Sequence, residues 1–518
     1  MKTNRRNVVV IILLLVCHYS AAQYQKKTAY FISNEGNKFN IGSINSPYCA
    51  LDSELSKKIN AGDTVYFKGG EVFETSLYID CLLRGTQENP IVITSYGGQK
   101  AIIKSGNRVG FLINNSQYIN LEYLHFIGNG RNNGNTSDGV CVSNSNHIRL
   151  KGLEIEGYQK AGLEIYCSKF IISDEIFSHD NGYAGIDVYG VYGRKDASSD
   201  ITITHCKAED NPGNPIEFEN HSGNGIVVGQ CKNITIEYCT ATNNGWDMPR
   251  KGNGPVGIWA YEADSVIIQY CISYRNKTSK GSQDGGGFDF DGGITNSIIQ
   301  YCLSYENEGA GYSLFQYKGA SPWYNNIIRY CVSENDGNVS NGMGGFFIWN
   351  SSENEDELKQ CYIYNNTVYN AHGGVICYES KSKNKDFYFI NNIFVGKDML
   401  NKGVEPSSNF YGNNWYSLSG TGFNITGFTN FNEWVINKNK ETFGQKILGY
   451  NIEPLFINAG NTTLTDPEKL ALYNAYQLKA TFKKKIKGLN INKLVGIKNT
   501  KFDFNRNRTK KNFLGAFK

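Results

Sequence analysis

The segment SQDGGGFDFDGG, residues 282–293, sets three carboxylates in a short alternating run. Asp289 and Asp291 stand two apart, so on a strand their side chains leave the same face about 6.5–7 Å from each other. Carboxyls separated by roughly 6.5–9.5 Å fit inverting cleavage of a glycosidic bond, one as general acid and the other activating a water. Asp284, in the turn before, is a third member of the group. Together Asp284, Asp289 and Asp291 also suit Ca²⁺, a hard cation that takes clustered oxygens, although the acid–base reading requires no cofactor. Like charges this close raise one pKa, which the acid role needs. The opposing reading is that Asp284 and Asp291 only cap glycine-rich turns.

Other candidates surround this group. IEFENHSGNG, residues 216–225, offers Glu217, Glu219 and His221 from a loop. Asp187 in GIDVY is a further catalytic candidate, and Glu164 in GLEIY lies in the matching place one repeat earlier. Tyr166, Tyr189, Trp259 and Tyr261 supply rings on which the C–H faces of sugars could stack, and Lys318 stands in a flanking loop. His147, His179, His205 and His372 fall on turns or strand ends, where a lone histidine reads as a surface or cap residue.

Glu164, Asp187, Asp289, Asp291 and the four aromatic candidates occupy fixed columns of a repeat of roughly 23 to 36 residues. One line of it reads GVCVS (139), GLEIY (162), GIDVY (185), GIVVG (225), GIWAY (257), GFDFD (287), GYSLF (311), GFFIW (345) and GVICY (374). Glycine followed by strict apolar alternation means a strand with one buried face. Such strands, joined by long connections that carry strands of their own, cannot form hairpins; stacked in parallel they bury continuous apolar columns. No unit shows the 3.6-residue period of a helical solenoid, and a β-propeller blade needs about 40–50 residues. The fold expected is therefore all-β: a single-stranded right-handed parallel β-helix with N- and C-terminal caps.

On this reading the variable positions point outward and form two columns. One runs Cys141, Glu164, Asp187, Val227, Trp259, Asp289, Ser313, Phe347, Ile376; the other runs Ser143, Tyr166, Tyr189, Gly229, Tyr261, Asp291, Phe315, Trp349, Tyr378. Asp187 and Glu164 then stack about 4.8 Å apart. That is near the spacing of a retaining pair, and equally suits a Ca²⁺ site or sugar contacts. Exposed aromatics beside carboxylates suit a carbohydrate groove, unless loops cover the face and make the rings a second core, above all at Phe347, Trp349 and Ile376.

A second line of the repeat ends on Cys206, Cys239, Cys271, Cys302 and Cys331, with Leu124, Leu153 and Ile176 before them and Thr367 and Ile393 after. That column reads as an interior slot where a thiol acts as a small apolar group. Side-by-side stacking is poorly suited to disulfide geometry. Cys49 and Cys81 are the one pair considered for bridging, and with no CxxC and no Cys/His ligand spacing a zinc site is not expected.

These motifs resemble the pectin-lyase-like superfamily of right-handed parallel β-helix proteins. TAYFISNEGN, AGDTVYFKGG, GTQENPIVITSYGG and AIIKSG look like its N-terminal cap and first rungs; NNIFVG, NFYGNNWY, EPLFIN and FLGAF look like its closing rungs and cap. The resemblance implies a carbohydrate-active scaffold without naming a substrate, since hydrolases, lyases, esterases and adhesins share it.

Lys2, Arg5 and Arg6, the apolar run Val8 to Val16 and Ser20-Ala21-Ala22 read as a signal peptide cleaved near Ala22, hence secretion. No segment reaches the length of a membrane span. Residues 479–518 hold 13 Lys/Arg against one acid, Asp503, whereas residues 23–478 hold 36 basic and 47 acidic residues. An acidic body disfavours nucleic acid, and the basic tail reads as a solvated cap. The divisions expected are residues 1–22 signal peptide, 23–117 N-terminal cap and first rungs, 118–400 helix core, and 401–518 C-terminal rungs and basic cap. The function expected is a secreted glycoside hydrolase, monomeric, acting on a polysaccharide or oligosaccharide. The alternatives are a Ca-assisted polysaccharide lyase and a non-catalytic glycan-binding protein. The outward columns contain no Lys or Arg, and Arg194, Lys195, Arg250, Lys251, Lys277, Lys280 and Lys318 appear only in flanking loops.

Overall fold

A computed structural model describes residues 27–80, 83–337, 342–397, 399–403, 407–425, 427–483, 486–509 and 512–518. The segment read as a signal peptide, and Cys81 of the pair weighed for bridging, lie outside the described residues. Three parallel sheets of 14, 12 and 13 strands run the length of the molecule, each strand pairing with its counterpart in the next repeat. The chain is thus an all-β, right-handed parallel β-helix. Each rung passes from a groove sheet (Ala184–Tyr189 is one strand) to a flank sheet (Ser198–Thr204) and a back sheet (Lys207–Glu209). Ile, Val, Leu and Phe from all three fill the interior.

The turn between flank and back sheets repeats one solution. Its first residue is left-handed at every rung, as with Tyr238, Tyr270, Tyr301 and Tyr330 (φ 52–56°), and the cysteine that follows is buried. The thiols donate to main-chain carbonyls, Cys239 to Glu237 at 3.2 Å and Cys271 to Gln269 at 3.2 Å. The tyrosines point outward and stack, with centroids 5.2, 5.1 and 5.5 Å apart in succession. The C-terminal residues lie along this stack. Arg506 sits over Tyr270 (4.3 Å) and Tyr238 (5.2 Å), and Asn499 accepts from the Tyr330 hydroxyl at 2.8 Å. The basic tail is therefore partly docked on rings, where a solvated cap was expected.

Two expected columns shift by one residue near the C-terminal end. Val332 pairs with Thr367 and Thr367 with Ile393, so the slot of Cys331 passes to Asn366, then Asn392 and Asn413. Phe346 pairs with Ile376 and Ile348 with Tyr378, so Ile376 and Tyr378 face the interior and Cys377 faces out. The residue between Gly374 and the strand is absorbed in the turn, which the glycine pattern does not reveal.

A second buried ladder runs through Asn181, Asn211, Asn244, Asn276 and Asn307, at the end of the back sheet. From Asn211 onward each side-chain oxygen accepts the main-chain N–H of the asparagine one rung earlier, as Asn276 does from Asn244 at 3.3 Å. The ladder ends on Asp336, which accepts from Asn307 N (3.0 Å), Asn307 Nδ2 (2.8 Å) and the Ser333 hydroxyl (2.6 Å). Burial pushes Asp336 up to about 7, against these hydrogen bonds. Between the unfolded value near 4 and 7 the folded state holds a proton that the unfolded chain has released. Stability therefore falls as pH rises through that window, by on the order of 4 kcal/mol for this group. An amide fits the same place, because Asn276 bonds Ser273, and Asn307 bonds Ser304, in the way that an amide in place of the Asp336 carboxyl would bond Ser333. Asp336→Asn is accordingly expected to raise the denaturation midpoint at pH 8 and to flatten the pH 4–7 slope by one proton. An unaltered slope in the variant would assign that dependence elsewhere.

Candidate active site in the groove

The strand Gly286–Phe290 carries the acidic group because its alternation is unbroken: Phe288 and Phe290 fill the core, and Asp289 turns out between them. Asp289 pairs laterally with Trp259 on one side and Ser313 on the other. Asp284, Asp289 and Asp291 line a cleft of about 450 Å³ with His221, Trp259, Tyr261, Arg250 and Tyr317 among its walls. A second hollow of about 530 Å³, lined by Gln283, Phe347, Trp349 and Glu379, shares Asn253, Asp284 and Phe315 with it. The two read as one groove along the sheet.

Each carboxyl has a different setting. Asp289 is 2% exposed, and its Oδ1 is buried without a hydrogen-bond partner. Burial, then the charges of Asp291 and Asp284, push it well above the usual carboxylate range. Asp291 accepts from Gly292 N at 2.7 Å and is pushed up to about 7, chiefly by burial, with Asp284 and Glu262 adding to it. Asp284, at φ 62°, accepts from Gly254 N at 2.7 Å and is raised by burial to about 6. Burial and Arg250 lower His221 to about 4, so its imidazole is neutral at physiological pH.

Loops between the strands supply the walls. The segment 243–255 brings Arg250, Asn253 and Gly254, 275–286 brings Gln283 and Asp284, and 190–199 brings Tyr192. Lys195 of the last loop reaches the carbonyl of Gly293. Trp259 is 3% exposed, donating to Asn224 Oδ1 at 3.1 Å with its ring 4.7 Å from His221; it supports the wall more than it displays a face. Tyr261 lies over Gly229, where a Cβ would come within 2.1 Å of the ring. Phe315 and Phe347 are also buried, so part of the aromatic column is a small second core.

The remaining candidates lie apart. Glu164 accepts from the Cys141 thiol (3.1 Å) and the Tyr189 hydroxyl (3.2 Å), with the Tyr166 and Tyr189 rings 4.8 Å apart. Asp187 follows on the next rung, raised by burial, Glu164 and Asp138. Asp138, absent from the sequence reading, completes this group; burial and then Glu164 raise it to about 7. Its signal was the Asp-Gly that heads a groove strand. Glu217 turns back to cap its own loop, accepting from Glu219 N and Asn220 N. Glu219 and Lys318 are exposed and line neither hollow. Tyr192, Gln230, Asn253 and Tyr317 were also missed; Tyr317 was legible as the next outward step after Ser313 and Phe315.

A right-handed parallel β-helix with a loop-walled acidic groove is the class these features define. Residues 30–341 match the family described as Pel9A-like, right handed beta helix region, and the chain belongs to that family. Among solved structures it is similar to a GH136 lacto-N-biosidase from Eubacterium ramulus (16% identity, 69% of this chain and 68% of that one, TM-score 0.49). It is also similar to the pectate lyase Pel9A (15%, 95% and 96%, TM-score 0.45) and to a PL6 family alginate lyase (13%, 70% and 49%, TM-score 0.46). No curated protein matches the sequence. Among the described residues no helix is long and apolar enough to cross a membrane.

Proposed function

We propose that the protein is a secreted, monomeric glycoside hydrolase that cleaves a polysaccharide or oligosaccharide in this groove with inversion. One observation carries the reading: Asp289, on the strand Gly286–Phe290, and Asp291, one residue beyond its end, line the same cleft. Asp289, held protonated, delivers its proton to the leaving glycosidic oxygen. Asp291, ionised above about pH 7, takes a proton from the water that attacks the anomeric carbon.

The carboxylates work in this reading without a cofactor.

Hydrolysis of a panel of neutral and uronate-containing polysaccharides, followed by NMR of the first-formed anomer, tests the proposal; an inverted anomer supports it. The family's namesake is a pectate lyase, so absorbance from an unsaturated uronate would replace hydrolysis with elimination. The rising limb of kcat/KM is expected near pH 7, set by Asp291. Asp284→Asn removes a charge that raises both groups and should move the rising limb down by about one pH unit; a limb that stays in place would detach Asp291 from the base role.

A further inference from the structure

The groove does not use the back sheet, where two histidines and three carboxylates meet. Glu154 and Glu156 stand on one strand; His125 is the lateral neighbour of Glu154, and His179 of Glu156. Asp180 follows His179 in a left-handed turn. One ligand atom each from Glu156, His179 and Asp180 lies within 4.8 Å of the others. His179 Nδ1 is 2.7 Å from Asp180 Oδ2 and 3.9 Å from Glu156 Oε2.

The surroundings hold these groups as ligands are held. His125 Nε2 is 2.9 Å from Glu156 Oε1, fixing that carboxylate from the far side. The Phe177 ring stacks on His179 at 4.2 Å and limits its rotation. His179 Nε2 is buried without a hydrogen-bond partner, and Glu154 Oε1 faces it at 3.9 Å. Lys100, at 3.2 Å, anchors the other oxygen of Glu154. An imidazole that ligates through one nitrogen ordinarily donates its other N–H to a carboxylate. Here Nδ1 faces the two carboxylates, and Glu154 is the carboxylate that stands toward the second nitrogen, 3.9 Å from it.

We propose that Glu156, His179 and Asp180 form a binding site for a divalent transition-metal ion, with His125 and Glu154 as positioning residues. One imidazole and two carboxylates with an open position suit Zn²⁺ or Co²⁺ better than Ca²⁺, which takes oxygens alone. The ion would clamp the strands Glu154–Glu156 and Phe177–His179 together across one rung.

The test is calorimetric titration of Zn²⁺ into the chelator-treated, untagged mature chain. Co²⁺ absorption reports the donor set, and thermal melting reports the clamp. One ion per chain with a micromolar or tighter Kd, a Co²⁺ ligand-field band and a raised Tm are expected. His179→Ala and Glu156→Gln should each abolish all three, and His125→Ala should weaken binding about 10- to 100-fold. Asp289→Asn should leave binding unchanged, which separates this site from the groove. A wild-type chain that shows no saturable binding below millimolar Zn²⁺, or binding that survives His179→Ala with its Co²⁺ band intact, overturns the proposal.

Discussion

Asp289→Asn is expected to lower kcat/KM for glycan cleavage by about 10²–10⁴-fold, the usual contribution of a positioned acid or base. The substitution keeps the volume of a side chain that is 2% exposed and removes only its ability to donate a carboxyl proton. Because Oδ1 has no partner within the protein, no internal hydrogen bond at that atom is lost, and the fold should survive. The loss should appear in kcat with KM little changed, as for an interaction made in the transition state. Asp291→Asn should be comparably inactive by removing the base. The double variant should be scarcely worse than either single one, since the two carboxyls act as a unit. Turnover unchanged in both single variants would end the carboxylate-pair mechanism and leave a glycan-binding surface.

The parts of this site that were legible are those that obey the alternation of a strand. Phe288 and Phe290 dictate that Asp289 faces outward, and the same logic places Glu164, Asp187 and Tyr261. The inward cysteines followed from their column for the same reason. What escaped depends on loops and on distant chain. Whether Trp259 is displayed or buried is decided by Asn224, at the start of the strand Asn224–Gly229, and by His221 from the loop before it, whose path no periodicity encodes. The slip at Gly374 came from a turn that absorbs one residue, and a one-residue slip reverses every side chain. The docking of Arg506 on Tyr238 joins residues 268 apart in the chain. The site around His179 was hidden because that histidine was weighed alone; only lateral pairing reveals which groups are its neighbours.

The groove also depends on a buried element that no outward column shows. Asn276→Leu is expected to destabilise the protein by about 3 kcal/mol or more, because buried donors and acceptors stripped of partners cost about 1–3 kcal/mol each. Its Oδ1 accepts from Asn244 N and Nδ2, and its Nδ2 donates to Ala241 O and Asn307 Oδ1. Leucine makes none of these bonds, and the site, 1% exposed, admits no water in their place without rearrangement. The damage is not confined to stability. Asn276 closes the back sheet just before the loop that carries Gln283 and Asp284, and Glu308 N donates to its carbonyl at 3.0 Å. Loosening that turn should disorder the wall of the cleft while leaving Asp289 on its strand. The variant should therefore combine a lowered denaturation midpoint with a raised KM, whereas Asp289→Asn changes kcat alone. Rescue by Asn276→Asp at low pH, where the carboxyl is protonated and can both donate and accept, would show that the hydrogen bonds rather than the volume carry the effect.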